Sequence, residues 1–169
     1  MKPSTTDQVL LKPESKFALS NFVKSEIARS PRRQARAALR TAKDLNDCLN
    51  AIEAALRTYP KVDGYLINLH QPDENALACA RLHLPPAFSS VESAYSQYAF
   101  TLDGQDATAV AFATGTIQRI TERNVQDYST STQGRFFRWE MRSLVVVPIQ
   151  AADTGAMPVG TLTLFSQQC

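Results

Sequence analysis

The sequence predicts an α+β fold, and three observations lead there. Ser143 to Ile149 and Val159 to Phe165 are apolar, β-branched runs flanking Asp153, Thr154, Gly155 and Pro158, so they read as an antiparallel hairpin with a long loop. YLINLH (65–70) and ALACARLHL (76–84) flank QPDEN and read as a second hairpin. The helical patterns precede and separate these hairpins rather than alternating with single strands, which marks α+β rather than parallel α/β. The expected architecture is an antiparallel sheet of about five to six strands. A long N-terminal helix is expected on one face, with short helices and a pocket on the other. Neither strand of the last hairpin alternates cleanly between apolar and polar residues, so both its faces are expected to be covered.

Residues 1–30 read as a leader: a polar start ending at Lys12-Pro13, then a candidate short helix at Glu14 to Arg29 carrying Phe17, Phe22, Val23 and Ile27. The domain is placed at 31–169. Ser30-Pro31 is a helix start, because serine caps the first amides and proline fits the first helical position. Ala35, Ala38, Ala42, Leu45, Leu49, Ile52, Leu56 and Tyr59 then follow steps of 3 and 4, a heptad pattern, until Pro60. The stripe begins with alanine and ends with leucine-like residues. The Ala35, Ala38, Ala42 and Leu45 part suits close approach of a partner helix, the rest the helix's own domain. One amphipathic helix packing on a single core explains the same spacing.

Asp63-Gly64 is a turn into the first hairpin, and Pro85-Pro86 stops it. Ser89 with Glu92 has capping-box spacing and opens a short helix through Tyr98. Asp103-Gly104 is a turn. Asp106 caps ATAVAFAT and Gly115 ends it. TIQRIT (116–121) is a strand, 122–134 a loop, and FFRWEM (136–141) one or two helical turns.

Composition bounds the function. The 169 residues are 44% hydrophobic and 20% charged, ordinary for a soluble globular chain able to bury a core. A net charge of +2 is too small to argue for nucleic acid. Cys48, Cys79 and Cys169 form no CxxC pair, which fits a reducing, cytoplasmic setting. No stretch has the length of a membrane helix, and the N-terminus lacks a secretory apolar core.

RSLVVVPIQAADTGAMPVGTLTLFS, with its Gly160-Thr161-Leu162-Thr163-Leu164 strand, resembles the last two core strands of a GAF domain, a PAS-related fold. ATAVAFATGTIQRI resembles that family's helix, glycine turn and middle strand. The N-terminal helix with DGYLINLHQPDENALACARLHL resembles its opening helix and first hairpin. The likeness spans about residues 43–166. It implies a cytoplasmic sensory or regulatory module that binds a small molecule between sheet and short helices, or that serves dimerisation and signal relay. It implies a homodimer through N-terminal helices and an output domain in a longer protein. The family's C-terminal helix is not represented, which suggests a piece of such a protein or an atypical stand-alone form.

Specific chemistry is harder to find. The cyclic-nucleotide signature of the family has no equivalent. TSTQGRFFRWEM offers no cysteine or histidine for a covalent bilin, so none is expected, and no cofactor is predicted. Members that reduce free methionine sulfoxide need cysteines in loops that here read FATGTIQ and DYSTSTQG, which leaves that enzyme as a third reading. His70 and His83 fall at opposite ends of a hairpin, too far apart to share a metal. Arg32, Arg33, Arg36 and Arg40 read as a solvated helix face. No catalytic constellation emerges, so no enzyme is expected. FFRWEMR places aromatics beside cations: Phe137, Arg138, Trp139 and Arg142, with Tyr95, Tyr98, Phe100 and Phe112 to complete a wall, form the candidate ligand site. The alternative is that these side chains fill the space themselves.

Overall fold

Two helices come before the sheet. The computed structural model describes residues 31–102, 104–150 and 157–168, with α1 at Pro31–Thr41 and α2 at Leu45–Leu56. The single long helix expected from the heptad is therefore two. Asp44 is extended (φ −147°, ψ 179°) and caps α2 by accepting from the Asp47 N–H at 2.8 Å. The Asp47 carboxylate accepts in return from the Lys43 N–H at 3.0 Å. This reciprocal capping satisfies backbone donors that a continuous helix would satisfy internally, so the break costs little. The small-residue stripe consequently does not run along one helix. Ala38 is exposed in α1, Ala42 lies in the link, and Leu45 opens α2 with 56% of its surface exposed. Leu49, Ala51 and Leu56 are buried. The leader, the Glu14 to Arg29 helix, the Ala35 side chain, Asp103, the loop at 151–156 and Cys169 lie outside the described residues.

The chain divides into two compact units between Thr58 and Tyr59. The second contains a six-stranded antiparallel sheet in the order β3-β2-β1-β6-β5-β4. Its strands are β1 Gly64–Gln71, β2 Ala76–His83, β3 Ala99–Thr101, β4 Gln118–Thr121, β5 Ser143–Ile149 and β6 Gly160–Ser166. The hairpin of β1 and β2 pairs Tyr65 with His83 and His70 with Leu77, which puts the two histidines at opposite ends. The pairing steps from Ile67–Arg81 to Asn68–Cys79, leaving Ala80 as a bulge. The last strand, β6, lies between β1 and β5 at the centre of the sheet, with Thr161, Thr163 and Phe165 buried on one face and Leu162 and Leu164 half-buried on the other.

One face of the sheet carries Phe100, Leu77, Leu82, Leu66, Thr163, Phe165, Leu144, Val146 and Ile120, following the pairing register. Against it pack Ala107, Ala111 and Phe112 of α4 (Ala107–Thr114) and Phe136 of α5 (Thr130–Arg138). Asp106 caps α4 and Gly115 ends it at φ 63°, as their positions in the sequence suggest. Elsewhere local chemistry redirects the chain. The capping box does not form: the Ser89 hydroxyl donates to the Pro86 carbonyl, a 3-10 turn fills Pro86–Val91, and Val91 precedes α3 (Glu92–Ser96) without a side-chain cap. Helix α5 starts inside the stretch read as a loop, because the Ser129 hydroxyl accepts from the Thr132 N–H.

Gly160 has a steric reason to be glycine. A Cβ there would lie 2.2 Å from the Asn68 carbonyl oxygen across the β1–β6 pairing. Backbone in the middle of a sheet cannot yield to it, so Gly160→Ala should lose about 1–3 kcal/mol of stability in urea unfolding. Unchanged stability would show that the two strands are not held this closely.

Candidate functional site

The interior between the sheet and α4 and α5 is organised by one carboxylate. Asp106 Oδ1 accepts from the Thr108 N–H at 2.9 Å, which is the cap of α4. Its Oδ2 accepts from Arg135 Nη2 at 2.7 Å and from the Thr132 hydroxyl at 3.1 Å. Thr132 Oγ1 in turn accepts from the Ala107 N–H at 3.0 Å, and Arg135 Nη1 donates to Ser131 Oγ at 3.3 Å. The side chains of Arg135 and Asp106 are only 8% and 11% exposed. The guanidinium lies 4.7 Å from the Phe100 ring centroid, which suits its flat cation.

Trp139 closes the space at the C-terminal end of α5. Its ring meets Tyr95 edge-on at 4.7 Å and Phe165 at 5.6 Å. The helix ends in a Schellman turn: the Met141 N–H donates to the Phe136 carbonyl and the Glu140 N–H to that of Phe137. Glu140 occupies the left-handed position at φ 51°, where glycine is the usual residue. The Trp139 carbonyl accepts from Gln167 Nε2 at 2.9 Å, while the Asp63 carboxylate accepts from the Gln167 N–H at 2.7 Å. Among the described residues, Thr108, Arg135, Trp139 and Thr163 border a cavity of about 10 Å³. Small-molecule pockets are typically about 300–1,000 Å³.

No protein-family model matches the sequence, and no curated protein matches it. Solved structures do. The GAF domain of A. aeolicus nlh2 in an inactive state is 19% identical at a TM-score of 0.58, over 87% of this chain and 83% of that one. The GAF domain of a two-component sensor histidine kinase from Bacillus halodurans is 19% identical at 0.57, over 75% and 79%. The fold is that of a GAF domain. Free methionine-R-sulfoxide reductase from Neisseria meningitidis, in complex with its substrate, shares the fold at 15% identity and a TM-score of 0.60, over 86% and 76%.

Within this GAF fold the residues singled out from the sequence separate. Phe100, Phe112 and Trp139 are buried, and Tyr95 is half-buried against Trp139. Tyr98 is 45% exposed, edge-on to Phe100, and borders a 160 Å³ depression outside Asp106. Phe137 is 61% exposed, and Arg138 and Arg142 are exposed, with Arg142 ion-paired to Glu122. The structure does not bring these last three inside. At about 100° per residue, a helix that turns Thr132, Arg135, Phe136 and Trp139 inward turns 137 and 138 outward. Arg135, Thr132, Thr108, Thr163 and Asn68 are among the interior polar residues the sequence reading passed over. The i to i+4 spacing of Arg135 and Trp139 was the available signal.

Thiol chemistry gains no support. Cys79 lies on the helix-facing side, opposite Asn68, and burial pushes its thiol above the ordinary range despite the opposing pull of Arg81. A raised thiol stays protonated at neutral pH and is a poor nucleophile. Among the described residues no group of three or more His, Cys, Asp or Glu is placed to hold a metal ion. No helix among them is long and apolar enough to cross a membrane.

Removing one partner of a buried ion pair strands the other charge. Asp106→Ala should cost about 3–5 kcal/mol in chemical denaturation. Adding Arg135→Met should recover part of that loss. Additive losses would mean the two side chains do not interact.

Proposed function

We propose that this chain is a regulatory GAF module that acts through protein assembly, with its interior closed by its own side chains. The supporting observation is the cavity of about 10 Å³ where sheet, α4 and α5 meet. Trp139, Phe136, Phe165 and Phe112 occupy the space that a ligand would need. The assembling surface is α1 with the start of α2, as a homodimer contact. Ala37, Ala38 and Leu39 are exposed in α1, and Leu45 is exposed at the start of α2. In a longer chain these helices would relay the change to an output domain.

Small-molecule sensing is the second reading. It is favoured by polar atoms left unpaired around Trp139 and by the left-handed Glu140 next to it. An opening of this turn would have to be selected by a ligand that binds the open form better than the closed one. The reductase reading is weakest, since its chemistry needs a reactive thiol and Cys79 is held protonated.

Native mass spectrometry of the protein as purified, followed by the denatured mass, separates these readings. Assembly without ligand predicts a dimer at twice the bare chain mass. Extra mass lost on denaturing would replace it with the sensor reading, and a bare monomer would contradict assembly through these helices. Ala38→Glu should weaken the dimer by at least about tenfold, the equivalent of ~1.4 kcal/mol. An unchanged dissociation midpoint would rule out α1 as the contact.

A further inference from the structure

Two residues that line the small cavity carry buried polar atoms not accounted for by the protein. Trp139 is 2% exposed and Thr163 is 7% exposed, yet Trp139 Nε1 and Thr163 Oγ1 have no hydrogen-bond partner among the described residues. Both residues line the same cavity of about 10 Å³. The neighbouring threonine on the same face of β6 has a partner, since Thr161 Oγ1 accepts from Asn68 Nδ2 at 3.3 Å, while Asn68 Oδ1, away from this cavity, is also unpaired among the described residues. Burying a hydroxyl and an indole N–H unpaired is costly, and native interiors rarely tolerate it.

We propose that this cavity is a binding site for a single water molecule, held between Trp139 Nε1 and Thr163 Oγ1. The size agrees, because a space of about 10–15 Å³ measured this way admits one water and nothing larger. The chemistry agrees as well. The indole nitrogen is a donor only, so it needs an acceptor, and a threonine hydroxyl takes either role. Water accepts from the first and donates to or accepts from the second. Thr108 and Arg135 also border the space and offer further partners. Phe165, Leu144 and Met141 close the remaining sides and keep the site to that size.

The bridge gives Thr163 a role that valine, its near-isostere, cannot fill. It ties the Trp139 side chain, at the end of α5, to the central strand β6, adding a polar link for the indole to its ring packing and to the backbone bond that the Trp139 carbonyl accepts from Gln167. The site stands independently of the assembly proposal, since it needs neither a dimer nor an organic ligand.

A high-resolution crystal structure of the full chain tests it directly. The expected result is a density peak within about 3 Å of both atoms. A cavity without density at that point overturns the proposal. Thermal unfolding of Thr163→Val gives an independent reading. With the water in place, losing the hydroxyl strips it of a partner and Tm falls. In a dry cavity the same change removes an unpaired hydroxyl, and a raised Tm would overturn the proposal.

Discussion

The buried pair of Asp106 and Arg135 is the constraint on which the rest of this unit depends. A carboxylate at the start of α4 and a guanidinium in the middle of α5 meet at 2.7 Å with both side chains about nine-tenths buried. Taking both charges out of water costs several kcal/mol per ion, so the contact survives only if its geometry is good and its remaining valences are filled. The Thr108 N–H and the Thr132 hydroxyl donate to the carboxylate, and Ser131 and the face of Phe100 meet the guanidinium. Apolar packing would allow α5 to slide or rotate on the sheet with little penalty. A directed ion pair does not. With Arg135 fixed, Phe136 and Trp139 are turned to the sheet and Phe137 and Arg138 to solvent.

The sheet supplies the floor for that arrangement. Because the final strand inserts between β1 and β5, the residues facing the helices come from strands far apart in the chain: Leu66, Leu144, Thr163 and Phe165. The insertion is tight enough at Gly160 to exclude any side chain. Just beyond β6, Gln167 links the Asp63 carboxylate to the Trp139 carbonyl, so the end of the strand and the end of α5 are held by one residue. Any movement of Trp139 would therefore be felt where the chain leaves the sheet.

Much of this was legible in the sequence. Long apolar runs specified both hairpins, but the expectation that TLTLF is covered on both faces did not carry over: Thr161, Thr163 and Phe165 are buried, while Leu162 and Leu164 on the other face are half-buried. Asp106 and Gly115 announced the ends of α4 because capping is a local effect. Failures occurred where local and longer-range signals compete. The heptad from Ala35 to Tyr59 is continuous, but Asp44 and Asp47 cap a new helix within it. The Ser129-to-Gly134 stretch has loop composition, and only its Ser129 cap reveals a helix start. Once the start of α5 was missed, its phase was unknown. Arg138 and Arg142 then looked as able to face inward as Arg135, which is the one that does. Charge in a helix reads as solvent-facing by default, and a buried partner 29 residues away leaves no mark on the local pattern.

Trp139, the chain's single tryptophan, reports on whether the interior is filled by the protein itself. The most direct measurement is acrylamide quenching of its fluorescence in the folded protein, beside the urea-unfolded chain. A closed interior predicts blue-shifted emission and quenching far weaker than in the unfolded chain. Emission and quenching like those of the unfolded chain would contradict it, because Trp139 would then be in water and the interior open.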